Sequence, residues 1–264
     1  MGKPTANLKK YLIFWLKTAG LSFQSLTATR GASLMFIAGK LIRFFFFIWF
    51  LIILENQIQK VAGYTLNQLI IFFLVFNLFD LFGQLFFRGI YWFREDVVSG
   101  NFDFNLIKPI NPLVQILTVH TDFLDLPLFL IVIGVLGKYM VTLPVANLFA
   151  FALVSISGMI LVTAFHIFVA ALGVITTEVD HTIMVYRDLT AMARVPVDIY
   201  TDAIRALLTF VIPIALIFTF PAKALLALLS INWIIFSLIV SSIVFWLSLK
   251  LWRYALTQYS SASS

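Results

Sequence analysis

The sequence predicts an all-α fold: a polytopic helical membrane protein with six transmembrane helices, preceded by an N-terminal interfacial amphipathic helix. Three observations carry that prediction. The chain is 62% hydrophobic and 11% charged, with a mean hydropathy of +1.03, whereas a soluble domain carries roughly 25% charged residues to cover its surface. Its apolar residues come in blocks of about 20, the length a bilayer crossing needs, not in the short alternating segments of a barrel. Its Lys and Arg gather in alternate connecting segments, as positive-inside topology requires. The 264 residues form a single transmembrane domain. Residues 1–31 are the interfacial helix, 32–249 the six-span bundle, and 88–112 a cytosolic loop within it.

Residues 5–29 read as an amphipathic helix, with Leu8, Leu12, Trp15, Ala19 and Leu26 recurring at helical steps and Lys9, Lys10, Lys17 and Gln24 elsewhere. Such a helix lies in the headgroup layer or packs on a partner protein. The first thirty residues lack the apolar core and cleavage site of a signal peptide. The first span covers 32–54 and ends in FFFFIWFLIIL, and the polar hairpin ENQIQKVAGYTLN leads to the second span at 67–87. The third lies within 113–137, GKYMVTLP makes a turn, and the fourth covers 145–175. A polar segment follows at 176–202. The fifth span runs over 203–220, ending at Pro221, and AKALLALLS (222–230) is either re-entrant or on the surface. The sixth span is 231–249, and SSASS is a frayed tail.

With the N-terminus inside, the inner segments hold Lys3, Lys9, Lys10, Lys17, Arg30, Arg88, Arg94, Lys108, Arg187, Arg194, Arg205, Lys250 and Arg253, against Lys60, Lys138 and Lys223 outside. Both termini of a multi-pass plasma-membrane protein are therefore expected in the cytoplasm. This use of cations makes nucleic acid a poor partner.

Catalytic signatures are missing. No G-x-x-x-x-G-K-[ST] loop occurs, nor H-E-x-x-H, nor G-x-S-x-G. With no cysteine there is no thiolate chemistry. His120, His166 and His181 stand far apart. No catalytic, cofactor-binding or metal residues are assigned, and an enzyme is not expected.

Lys40, Arg43 and Asp80 fall inside apolar blocks, where an ion is costly and functional by default. Lys40 and Asp80 lie at similar depth on neighbouring spans. They either pair with each other, or the cations snorkel and Asp80 is protonated or hydrogen-bonded. His120, Asp122 and Asp125 open the third span. Either this helix starts in the cytosol and enters lipid near Leu126, or these groups form a proton relay.

The segment FREDVVSGNFDFNLIKPINP (93–112) concentrates charge and turn residues between two apolar spans. YWFREDVVSG reads as a short helix stopped by Gly100, and KPINP as an extended turn. Arg94, Glu95, Asp96 and Asp103 offer charges to a partner, with Phe102 and Phe104 as apolar anchors. The bland alternative is a tied-down loop.

VVSGNFDFNLIKPINPL (97–113) resembles the V-x-x-G-x-h-D-x-x-L-h-x-P-h-N-P signature, h being apolar, of permease subunits of type-2 ABC transporters, in a bacterial six-span branch. RVPVDIYTDAIRALLTFVIPIA (194–215), continuing to FPAKALL (220–226), is similar to that branch's approach to its fifth span. The resemblance implies a membrane-spanning permease of an ATP-driven ABC exporter. ATP would be bound by a separate cytosolic ATPase, docked on a coupling helix in 88–112. Arg94, Glu95, Asp96, Gly100, Asp103, Lys108, Pro109 and Pro112 would then serve ATPase coupling. It also implies a second permease subunit, homo- or heterodimeric with the heterodimer favoured, and a membrane lipid surround. The competing readings are a secondary transporter or channel, and a non-transporting membrane scaffold.

Overall fold

The structure, a computed structural model, describes residues 4–57, 60–176 and 179–260. Lys3, the last four residues of the SSASS tail and the side chain of His181 lie outside it. Among the described residues, all regular elements are helical. In order they are α1 (Pro4–Ala28), α2 (Arg30–Gln57), α3 (Leu66–Phe87), α4 (Phe93–Val98), α5 (Phe102–Ile107), α6 (Pro112–Thr118), α7 (Leu126–Met140), α8 (Val145–Thr176), α9 (Val179–Ala191), α10 (Asp202–Ala206), α11 (Ile214–Leu225) and α12 (Ile231–Gln258). Four of these, α2, α3, α8 and α12, are long and apolar enough to cross a membrane, and α10–α11 would make a fifth if counted as one span.

Within the α2–α3 connection, residues 61–64 make a two-residue turn. Ala62 (φ 51°) and Gly63 (φ 85°) both take positive φ, and Val61 and Tyr64 exchange backbone hydrogen bonds of 3.1 and 3.0 Å. Thr65 then caps α3, its side chain accepting from the Gln68 N–H while Gln68 reaches back to the Thr65 N–H.

Helix α3 is apolar over most of its surface and is buried along much of its length, and so is central. Phe73 stacks on Phe44 and Phe47 of α2, and Phe76 and Phe79 meet Phe218 of α11. Helices α8 and α12 run side by side through a seam of small residues. Ser157 donates to the Ser237 carbonyl at 2.8 Å, and Ser241, Ser248 and Ala255 are buried along the same helix. Small side chains let two helices approach closely where hydrophobicity gives no preference over lipid.

Three expectations need correction. The third span is not one helix. It breaks between Thr118 and Leu126, because Asp122 and Asp125 are held by side chains outside their own helix and Asp122 accepts from the Leu124 N–H. The apolar helix starts at Leu126, as one of the two readings of this region had it.

The polar segment 176–202 is no loop. Ile183, Thr190, Ala193 and Val197 form a buried stripe, continued by Tyr186 against Phe165 and His166 of α8. Asp198 then accepts from Tyr64 at 2.9 Å and pairs with Lys223 at 2.8 Å. Residues 179–199 therefore run the depth of the bundle, from the end of α8 to the α2–α3 turn.

The expected fifth span at 203–220 is instead two arms bent by 99°. The chain turns at Ile212–Pro213, since Pro213 has no N–H and forces its predecessor out of helix. Helix α11 continues through Pro221 to Leu225, with Asn147 at the start of α8 donating to the Leu225 carbonyl at 3.2 Å. Pro221 leaves the Ile217 carbonyl without its helical donor. A Cβ on Gly158 would stand 3.1 Å from that oxygen and 3.2 Å from the Phe79 ring, so α8 packs tightly on α11 there and a side chain would have to push its neighbours back.

Candidate functional site

The 88–112 segment is a folded platform at the end of the bundle opposite the α2–α3 turn. Arg88–Tyr91 form one 3₁₀ turn pressed onto α6, where a Cβ on Gly89 would come within 2.2 Å of the Ile116 carbonyl. Helix α4 ends at Ser99, and Gly100 takes φ +76°, the left-handed conformation a helix stop favours in glycine. The chain then forms α5, a second short helix that the sequence reading did not separate from the turn. Lys108 is extended ahead of Pro109, and Pro112 opens α6 at its first position.

Phe102 holds this platform. It is 0% exposed, packed against Phe93 of α4 and against Trp252 and Tyr259 at the end of α12. It is an internal brace, not an anchor offered to a partner. Asp103 accepts from the Tyr259 hydroxyl at 2.9 Å. Burial and the Asp103 carboxylate push the Tyr259 hydroxyl up to about 12, so this bond persists through the neutral range.

Three residues to which the sequence reading gave no part in this segment complete the brace. The Gln115 side-chain amide, buried in α6, donates to the carbonyls of Asn105 (3.0 Å) and Ile110 (2.8 Å). Lys10 donates to the Pro109 carbonyl, and the Asn111 N–H to the Tyr11 hydroxyl at 3.4 Å. Helix α1 thus lies along the platform through Tyr11, Trp15, Ala19 and Ser22, while Leu8 and Leu12 of the predicted stripe point outward. No local signal distinguishes Lys10 and Tyr11, because their partners are about a hundred positions away.

What the platform presents outward is the rest. Arg94, Glu95, Lys108 and Pro109 are exposed, and Asp96 is half-buried. Trp92, Val98 and Ile107 are exposed with them, and Phe104 is 60% exposed. Four bare apolar side chains among charges are an unusual surface unless something covers it.

The charges inside the bundle are arranged otherwise than expected. Lys40 pairs with Asp125 at 2.6 Å, not with Asp80, and stands 3.9 Å from Asp122. Arg88 meets Asp122 at 3.6 Å. The side chains of Asp125 and Asp122 are 3% and 10% exposed, so these pairs neutralise carboxylates that could not remain bare there. Of the groups in the alternative proton-relay reading, Asp122 and Asp125 are thus occupied in ion pairs, while His120 lies beside the Trp92 ring, 6.2 Å between centroids. Asp80 and Arg43 face a cavity between α2, α3, α7 and α9. His166 is packed between Phe87 and Tyr186 with its Nδ1 2.8 Å from the Val162 carbonyl. Among the described residues, no three His, Asp or Glu gather as a metal site would.

A family model described as ABC-2 family transporter protein matches residues 41–263. The chain belongs to the ABC-2 transporter family. Its multi-pass helical architecture is that of a membrane permease, and membership implies partnership with an ATPase subunit. No curated protein and no solved structure matches this ABC-2 permease.

Proposed function

We propose that this ABC-2 permease is the membrane subunit of an ATP-driven exporter, coupled to a separate cytosolic ATPase through 88–112. The observation that carries the reading is the platform itself. It is braced from three sides by Phe102, Gln115 and α1, yet leaves Trp92, Val98, Phe104 and Ile107 bare beside Arg94 and Glu95. A rigid apolar patch with a charged rim suits a stable docking interface. ATP binds the partner, and this chain carries no nucleotide motif of its own.

The proposed topology keeps six crossings but reassigns one. The fifth crossing is 179–199, and α10–α11 is a V entering from the far end and returning to it. The link from Asp198 to Tyr64 and Lys223 supports this. Among the described residues, nine cations (Lys9, Lys10, Lys17, Arg30, Arg88, Arg94, Lys108, Lys250 and Arg253) then lie toward the platform end and four (Lys60, Lys138, Arg205 and Lys223) toward the other, so the platform and both termini face the cytoplasm. Helix α1 rests in the interface, its outward Leu8, Leu12, Ile13 and Leu16 in lipid. A second permease, most simply a heterodimeric partner, completes the path.

The test is co-purification of the permease with a candidate ATPase from detergent, followed by ATP hydrolysis with and without the permease. Stable capture that Phe104→Ala and Glu95→Ala weaken at unchanged permease level is the expected result. Full capture and hydrolysis by both variants would overturn the platform as the coupling element.

A further inference from the structure

The cavity between α2, α3, α7 and α9 measures about 760 Å³ and adjoins a second of about 280 Å³ that shares Arg43, Asp80, Gln84 and Arg187. That is the size of a small-molecule site, for which roughly 300–1,000 Å³ is usual. Its walls are of two kinds. Met35, Phe36, Leu81, Leu124 and Leu128 form an apolar side continuous with the outward Phe-rich face of α2. The other side carries Arg43, Arg187 and Arg194.

These guanidiniums are the unusual feature. Lys40 and Arg88, which also line the space, are occupied by Asp125 and Asp122. Among the described residues, Arg43, Arg187 and Arg194 make no ion pair. Arg187 has only the Tyr91 ring, 5.9 Å away. Beyond the paired Asp122 and Asp125, the carboxylates facing the two cavities are Asp80 and Asp188, and neither reaches a guanidinium at ion-pairing distance. Three cations against two carboxylates leave a net positive site at the open side of an apolar bundle, with all three arginines exposed. Asp80 lies fourteen residues along α3 from Leu66, roughly 21 Å from the far end. Charge held at such depth marks a ligand path, and guanidinium forks fit phosphate and carboxylate oxygens in pairs.

We propose that this cavity binds an amphiphilic anion. Its phosphate or carboxylate head lies on Arg43, Arg187 and Arg194, and its apolar tail leaves between α2 and α7 along the exposed face of α2. As a statement about cargo this rests on the permease reading; as a statement about binding it does not.

The test uses the full chain in nanodiscs of zwitterionic lipid, without ATPase. A tail-labelled phosphatidic acid is titrated against a phosphatidylcholine with the same tail, and glycerol phosphate is used as competitor. The expected result is preference for the anionic probe, weakened roughly tenfold or more in Arg187→Gln and in Arg194→Gln, as the loss of one charge-assisted pair predicts. Arg205→Gln, outside the cavity and paired with Asp202, should bind as wild type. Equal binding of the two probes by the wild-type protein overturns the proposal whether or not either variant folds. Glycerol phosphate competing as well as the lipid overturns the amphiphile assignment, since the tail would then contribute nothing. Anion binding without ATPase capture would sink the exporter reading and leave the site intact; capture without anion preference would do the reverse.

Discussion

Phe102 and Phe104 are two residues apart on one short helix, yet the structure gives them opposite work. Phe102→Ala removes a fully buried ring that touches Phe93, Trp252 and Tyr259. Truncating a buried Phe costs about 3–5 kcal/mol. Because this ring ties α5 to α4 and to the end of α12, the cost falls on local opening of the platform rather than on the whole fold. An opening about 3 kcal/mol easier means amide exchange over residues 93–107 roughly 100-fold faster. Phe104, 60% exposed, should change that exchange little, since exposed substitutions stay within about 0.5 kcal/mol. Hydrogen–deuterium exchange of the permease in detergent measures the first effect, and ATPase pull-down the second. Phe102→Ala should lose both protection and capture; Phe104→Ala should lose capture alone. If Phe102→Ala leaves exchange over 93–107 unchanged, or Phe104→Ala accelerates it equally, the division into brace and contact is wrong.

Three other outcomes are expected. Gly100→Val forces a β-branched residue to φ +76° and should lower platform stability by roughly 1–2 kcal/mol, visible as faster proteolysis between α4 and α5. Lys40→Met leaves Asp125 buried without its cation and should destabilise the protein by about 3–5 kcal/mol, whereas Lys40→Met with Asp125→Leu should recover most of the loss in thermal melts followed by tryptophan fluorescence. Because the chain has no cysteine, single cysteines report sidedness directly: Tyr139→Cys and Thr201→Cys should label from outside and Ser99→Cys should not. Protection of Thr201→Cys alongside labelling of Tyr139→Cys would restore 203–220 as a crossing.

Much of the architecture was legible along the chain. The positions of α2, α3, α8 and α12 follow from long, mostly apolar blocks, because a helix facing lipid or apolar neighbours on most sides has little polar face to interrupt it, although α12 runs on to Gln258, past the expected end at 249. The Gly100 stop and the Pro109 and Pro112 turn were readable because they are local backbone chemistry, decided within three or four residues. The family was legible for the same reason, in two contiguous motifs.

What tertiary structure decided was the fate of polar residues in an apolar setting. Residues 179–199 read as a polar segment outside the spans because Arg187, Asp188 and Arg194 dominate their hydropathy, yet those side chains line a cavity open on one side of the bundle. The signal was there in the three- and four-residue steps from Ile183 through Tyr186, Thr190 and Ala193 to Val197. A hydropathy average erases such a stripe, while helical periodicity retains it. The partner of Lys40 could not be read at all. Two carboxylates at comparable depth were available on different helices, and only the packing of α7 against α2 brings Asp125 to 2.6 Å. Phe102 and Phe104 are likewise indistinguishable by composition. Opposite sides of a helix two residues apart acquire their roles only when α12 arrives, some 150 positions later, to cover one of them.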